Sequence, residues 1–348
     1  MGYKQVIIFG APGFDMETVL MYASCLYYAR TPRTDTGIVK RTYTGTNKAI
    51  NIFSFLEPLI QNILEVSRED EAYQSCNRGR LMLDPAIRLV QNSHNVGVVA
   101  TRRAGVPLLQ GRYVALLDQD DIAVPGRFQA QLDRLETTGG PDILGGMVES
   151  FGNFSGVSPC YASDAQIRSV LLFNAPMAHP AVCMKVRPLR EGVIAYSLDA
   201  GPAADYALWV DAMFAELRME NLDRVVTRYR RHAGSMTYTH IDDMLACACR
   251  VRKRVVDAYF PAFADAERVA LVNAIAGGFE SLEQWRGDIY ALSRAAQAAA
   301  DIPGIDSALM VQLLSEHALR LIKVAVKRGA VTGDTLEMMA EDNPYFER

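Results

Sequence analysis

The chain has 348 residues, half of them hydrophobic and 22% charged, with a formal net charge of −4. That is a globular composition, long enough for one large domain or two smaller ones, and its mild acidity excludes a nucleic-acid binder that works by bulk positive charge. The cysteines at 25, 76, 160, 183, 247 and 249 form no CxxC pair and no metal-ligand rhythm, so they are expected as reduced, buried thiols in a cytoplasmic protein.

No window approaches the ~20 apolar residues that cross a bilayer. Met1 to Phe9 has one lysine and a short apolar run, unlike a secretory leader. Val6-Ile7-Ile8-Phe9 predicts a short buried strand closed by Gly10-Ala-Pro12-Gly13, then a helix from Asp15 with Val19, Leu20, Ala23 and Leu26 on one face. Gly10-x-x-Gly13 matches neither the dinucleotide fingerprint nor a P-loop. Arg30 to Asn47 is polar and predicts loop, with one short strand at Gly37–Lys40. Phe53, Leu56, Leu59, Ile60, Ile63 and Leu64 fall at helical spacing and predict a helix to Val66 that starts or kinks at Pro58.

From Ile87 the pattern alternates. Strands are expected at Ile87–Val90, Tyr113–Leu117, Asp142–Phe151, Ala181–Val186 and Val225–Arg230. Helices are expected at Val98–Leu109, Gly126–Thr138, Ile167–Phe173 and from Asp199 to about Ala215. Such alternation indicates an α/β sandwich around a mostly parallel sheet. Beyond Ile241 the chain is rich in Ala, Leu, Val, Glu and Arg, broken at Pro261, Gly277-Gly278, Pro303-Gly304 and Gly329, which predicts four or five helices. The domain boundary is placed near 240, giving an α/β unit at 1–240 and a helical region at 241–348.

The run Tyr113-Val-Ala-Leu-Leu-Asp118-Gln-Asp120-Asp121 draws attention because an apolar strand runs into three carboxylates. Like charges so close repel unless something positive sits among them, and a divalent cation is one answer. A solvated acidic turn is the other.

Around that run the chain resembles family-two glycosyltransferases of the GT-A fold. The resemblance rests on Asn95-x-Gly97, Arg102, Gly105, Gly111-x-Tyr-Val-Ala-x-Leu-Asp118-x-Asp120-Asp121, Pro125-x-Arg127 and Gln131. It continues through Asn174-x-Pro176, His179-Pro180, Asp205-Tyr-x-Leu-Trp209 and Tyr229-Arg230-x-His232-x-x-Ser235, and so covers residues 85 to 236. The resemblance implies transfer of a sugar, with inversion, from a nucleotide-diphosphate sugar to an acceptor hydroxyl on a glycan or lipid-linked acceptor. It implies Mg²⁺ or Mn²⁺ on Asp120 and Asp118, with His232 near the diphosphate and the metal. Asp205 corresponds to the base; the family places an acid before it, where this chain has Ala204. Arg102, Asp118, Asp121, Arg230 and His232 are the implied substrate-binding residues. Asp121 could instead hold the loop, Trp209 is expected in the core, and His179 is left open.

The family's base-binding motifs are not found in residues 1–80, so a non-catalytic binding or assembly module on the same fold is the second reading. Arg250, Arg252, Lys253 and Arg254 with Val251, Val255 and Val256 form a basic amphipathic stretch. It could touch the inner face of an anionic membrane or be a solvated helix face. The helical tail could also carry an oligomer contact.

Overall fold

A computed structural model describes residues 6–8, 36–42, 49–55, 87–90, 92, 94, 96–118, 121–231 and 241–331. Strand β1 (Val6–Ile8) pairs in parallel with β4 (Ile87–Leu89), in line with both expected strands. Strand β2 (Thr36–Thr42) pairs antiparallel with β3 (Ala49–Phe55). The helix expected to begin at Phe53 therefore does not begin there, because Phe53 to Phe55 complete the β3 ladder. Short apolar runs fit both periods, and strand pairing decided between them. The predicted helix from Asp15 and residues 56–66 lie outside the described residues.

Among the described residues the main sheet has six strands: β5 (Tyr113–Ala115), β6 (Ile122–Ala123), β7 (Ile143–Gly152), β8 (Gly156–Val157), β9 (Cys183–Lys185) and β10 (Met219–Arg231). Their order is β5-β9-β7-β10-β6, with β8 on β7. The architecture is α/β, but the sheet is mixed rather than mostly parallel. Within it only β7 and β10 run parallel, while β5, β6, β8 and β9 join antiparallel. A tight hairpin joins β7 to β8 directly, and such short connections permit only antiparallel pairing. Glycines let the two long strands approach each other. A side chain at Gly146 would collide with Val226, and one at Gly145 with Asn221. Strand β10 starts earlier than its apolar run suggested, because Met219 and Asn221 alternate inward ahead of Val225.

Helices α1 (Val98–Gly105), α2 (Arg127–Leu135), α3 (Asp164–Val170), α4 (Arg187–Arg190) and α5 (Ala204–Phe214) surround the sheet. Pro107 turns the end of the predicted first helix into a 3-10 turn, Val106–Leu108. α3 starts ahead of its apolar run because Ser163 and Gln166 form a reciprocal capping box. α5 is apolar on every side and correspondingly buried, with Leu208, Trp209, Val210 and Ala212 out of contact with water. The Trp209 indole N–H donates to the Met177 carbonyl at 3.1 Å, which makes Trp209 a core residue.

Four helices follow: α6 (Ile241–Tyr259), α7 (Asp265–Ala276), α8 (Leu282–Ala298) and α9 (Ser307–Lys327). They end where glycine and proline predicted, Gly277 taking φ 91° after α7. They have no separate core. One cluster runs from Ile143, Met184 and Trp209 through Val251 and Phe260 to Trp285, Leu314 and Leu321. Among the described residues no helix is long and apolar enough to cross a membrane. The basic residues of α6 find partners within the chain, Arg252 in the core and Arg250, Lys253 and Arg254 on the exposed face. Arg252 is buried and donates to the Phe173 carbonyl at 2.8 Å, and Arg250 reaches the Asp199 carbonyl at 3.2 Å. Lys253 pairs with Asp257 at 2.7 Å and Arg254 with Asp211 at 2.6 Å.

One acid in the tail is poorly accommodated. Asp288 on α8 is 1% exposed, neither carboxylate oxygen has a hydrogen-bond partner, and burial pushes its pKa from 3.8 up to about 7, which Gln284 one turn back opposes only in part. The folded state then holds a proton that the unfolded state has already lost, so stability falls as pH rises from about 4 to about 7 and stays low above that. Asp288→Asn is expected to stabilise the fold at pH 8.5 by about 1–3 kcal/mol and to change little at pH 4.5. Urea melts at the two pH values check this; equal gains at both would contradict it.

Candidate active site

The site is built at the carboxyl ends of the parallel pair β7 and β10, the end of an α/β sheet where ligands usually bind. β5 leads toward it, and the Leu116 N–H donates to the Val182 carbonyl at 2.8 Å, so the chain stays on the sheet until just before Asp118. A buried guanidinium then holds the arrangement. Arg127, 1% exposed, donates to the Leu116 carbonyl at 2.8 Å, the Val182 carbonyl at 3.3 Å, the Thr227 hydroxyl at 2.8 Å and the Gln131 side chain at 3.0 Å. Gln131 in turn donates to the Leu144 and Ala181 carbonyls at 3.1 and 2.9 Å. The Pro125-x-Arg127 and Gln131 pattern is therefore a clamp joining α2 to β7, β10 and the chain segments that follow β5 and precede β9.

The acidic turn closes on itself, with the Asp121 N–H donating to the Asp118 carbonyl at 3.2 Å. The Asp121 side chain is fully buried and accepts the Arg230 backbone N–H at 2.9 Å. It pins the turn to β10, beside the antiparallel pairing of Ile122 with Arg228. Asp118 faces outward. The Arg102 guanidinium donates to its carboxylate at 2.9 Å, the two side chains being 21% and 37% exposed. A half-exposed pair adds little stability, so its significance is orientation. Among the described residues no group of three His, Cys, Asp or Glu could hold a metal ion. Asp120 and His232 lie outside the described residues.

Asp205 stands in the first turn of α5, after a 3-10 segment (Leu198–Ala203) kinked at Gly201, and its carboxylate accepts the Tyr206 N–H at 2.7 Å. Burial raises its pKa above 3.8, and the Asp118 charge adds to this; the Tyr206 N–H and the Arg102 charge oppose it. Arg102, Asp118 and Asp205 thus lie within electrostatic reach of one another.

Two further residues share this neighbourhood. His179, 5% exposed, has Nε2 at 3.0 Å from the Tyr196 hydroxyl. Burial first, and the Arg102 charge second, hold its pKa well below 6.5. Burial pushes the Tyr196 phenol up to about 12, and Arg102, Asp118 and Asp205 all act on it. Sequence reasoning left His179 open and missed Tyr196, whose only sign was the alternation of Ile194 and Tyr196 in an otherwise unremarkable segment. On β10, Arg230 and Arg228 lie over the Phe151 ring at 4.6 and 4.8 Å from its centroid.

The family model described as glycosyl transferase family 2 matches residues 67–183, a span that includes Arg102, Asp118, Arg127 and His179 but ends before Asp205. This stretch of the chain, about a third of its length, is what resembles the family. An uncharacterized glycosyltransferase of Methanocaldococcus jannaschii is 25% identical over 151 residues, which is 42% of this chain and 51% of that protein. A UDP-Glc:alpha-D-GlcNAc-diphosphoundecaprenol beta-1,3-glucosyltransferase of Escherichia coli is 24% identical over 189 residues, 53% of this chain and 70% of that one. The chain thus spans about half the length of the first of these relatives. Among solved structures, S. aureus TarS 1–349 in complex with UDP-GlcNAc is 15% identical, with 76% of this chain and 80% of that chain covered at a TM-score of 0.46.

The clamp generates a stability prediction. Arg127→Ala leaves the Leu116 carbonyl, Thr227 and Gln131 without this donor, and the Val182 carbonyl with the Leu116 N–H alone; with the cavity it opens, it is expected to destabilise the fold by about 3–5 kcal/mol. Arg127→Lys should restore less than half, because an ammonium cannot reproduce the planar fork. Urea midpoints measure both; a loss under about 1 kcal/mol for the alanine variant would contradict the clamp.

Proposed function

We propose that this family 2 chain is a metal-dependent inverting glycosyltransferase that moves a sugar from a nucleotide-diphosphate sugar to an acceptor hydroxyl. The observation that carries the reading is the grouping of Arg102, Asp118 and Asp205: one guanidinium paired with one carboxylate and near enough to the other to lower its pKa. One-step inversion requires a base for the acceptor proton and positive charge for the departing diphosphate. Asp205 is the base. Burial makes its carboxylate a stronger proton acceptor, while Arg102 and the Tyr206 N–H keep it ionisable. The carboxylate takes the proton of the acceptor hydroxyl as that oxygen bonds to the anomeric carbon. The bond from that carbon to the β-phosphate oxygen breaks, and the nucleoside diphosphate leaves.

Arg102 is exposed enough to meet a phosphate, and Arg230 is the second candidate. A Mg²⁺ or Mn²⁺ ion would be held by the carboxylates of Asp120 and Asp118, oxygen ligands that suit either ion, with the His232 imidazole a third ligand better suited to Mn²⁺. Such an ion neutralises charge on the departing diphosphate as a Lewis acid. Asp121 is reassigned from substrate binding to positioning, since a side chain with no exposed surface cannot meet the donor. The Escherichia coli relative supports an acceptor of the lipid-linked diphosphate kind, in polysaccharide synthesis. Residues 1–240 are assigned to the transferase unit and 241–348 to a helical buttress that shares its core.

Calorimetric titration of nucleotide-diphosphate sugars in the presence of Mn²⁺ is expected to give saturable heat with at least one donor. No heat with any donor would favour a binding or assembly module. The electrostatic grouping can be tested through the acid limb of kcat, which reports Asp205 losing its proton. That limb is expected above the range of an ordinary aspartate, whose pKa is 3.8. Arg102→Ala removes a charge that lowers the pKa, so the limb should move to higher pH; Asp118→Asn removes one that raises it, so the limb should move to lower pH. Asp205→Asn should lower kcat by about 10²–10⁴-fold. Shifts of the same sign in the Arg102 and Asp118 variants would refute the assignment.

A further inference from the structure

We infer that the buried hydrogen bond between His179 and Tyr196 is a strut that sets the separation between the Arg102–Asp118 pair and Asp205, so that both are positioning residues for the transfer. The inference rests on the reading of Asp205 as base. His179 opens the 3-10 turn His179–Ala181 that leads into β9. That turn leads to Val182, which lies beside the chain running from β5 to Asp118, because the Val182 carbonyl receives the Leu116 N–H and the Arg127 guanidinium bridges the Leu116 and Val182 carbonyls. Tyr196 belongs to the segment that enters the 3-10 turn Leu198–Ala203, after which α5 and Asp205 begin. The bond at 3.0 Å therefore joins the floor beneath Asp118 to the approach of Asp205.

A second tie runs in parallel. Trp209, one turn along α5 from Asp205, donates to the Met177 carbonyl at 3.1 Å, and its ring lies 6.3 Å from that of His179. The base-bearing helix is thus fastened twice to the stretch 177–179. Both partners of the strut are buried, at 5% and 3% exposure, so their bond is sheltered from competing water. Neither end changes charge near neutral pH: burial and Arg102 keep the imidazole neutral, and burial keeps the phenol protonated. The charged groups acting on the pair are Arg102, Asp118 and Asp205. A neutral strut among them fixes distance without altering the field on Asp205. Displacement of a reacting group by about 1 Å can lower a rate on the order of 10²-fold, so the strut is worth more to turnover than to stability.

Tyr196→Phe removes one oxygen and keeps the ring. We expect kcat to fall about 10–100-fold, with the donor KM within about twofold, since a spacing lost mainly in the transition state lowers kcat rather than binding. The acid limb of kcat should stay in place, because no charge is removed. His179→Gln, which can still bond the phenol, should recover part of the activity that His179→Leu loses, with melting temperatures of both recorded. In the ¹⁵N-histidine spectrum of the full chain, His179 should remain neutral from pH 5.5 to 8 and shift on Tyr196→Phe. Wild-type kcat in Tyr196→Phe, a moved acid limb, or a His179 that titrates near 6.5 would overturn the strut while leaving the transferase reading intact. A wild-type chain that transfers no sugar would overturn that reading and the strut's role with it.

Discussion

The Arg127 guanidinium, almost sealed from water, is the constraint on which the rest of the site depends. Burying a cation costs several kcal/mol unless its donors are satisfied, and here four acceptors from four parts of the chain converge on it. The arrangement works in reverse as well. Two of those acceptors are backbone carbonyls where β5 gives way to the acidic turn and where β9 begins, positions at which ladder pairing is running out. The charge satisfies them without a further strand, so the sheet can end abruptly and release the Asp118–Asp121 turn at a defined point. Asp121 completes the design by fastening the far side of that turn to β10.

Much of this was legible in the sequence. The alternation from Ile87 onward locates β5, β7, α2, β9 and α5 to within a few residues, because each has a buried face of the right period. The tail helices are legible from their breaks. The sheet's mixed direction was not, since pairing direction depends on which elements end up adjacent, and periodicity carries no information on that. The expected helix does not begin at Phe53 for a related reason: apolar spacing in a short run is shared by both structures, and Phe53 to Phe55 pair with the strand Thr36–Thr42.

Within the site, the resemblance to family-two glycosyltransferases brought Arg102 and Asp118 into consideration, and the structure joins them by an ion pair. What it could not reveal is division of labour among the acids. Asp118 and Asp121 are chemically identical and three residues apart, yet one faces the opening and the other is sealed against a backbone N–H. That difference arises from a contact more than a hundred residues distant. Tyr196 was invisible for the same reason, since a tyrosine becomes informative only through the imidazole it meets.

The continuous core has an implication for how α5 is held in place. That helix lies in one apolar cluster with both the sheet and α6, and Asp205 sits at its leading end. Asp205 therefore stands on a helix that packs against the helical tail, whereas the chain leading to Asp118 is held by the sheet. The helical tail is in this sense a backing plate for the helix that carries the proposed base.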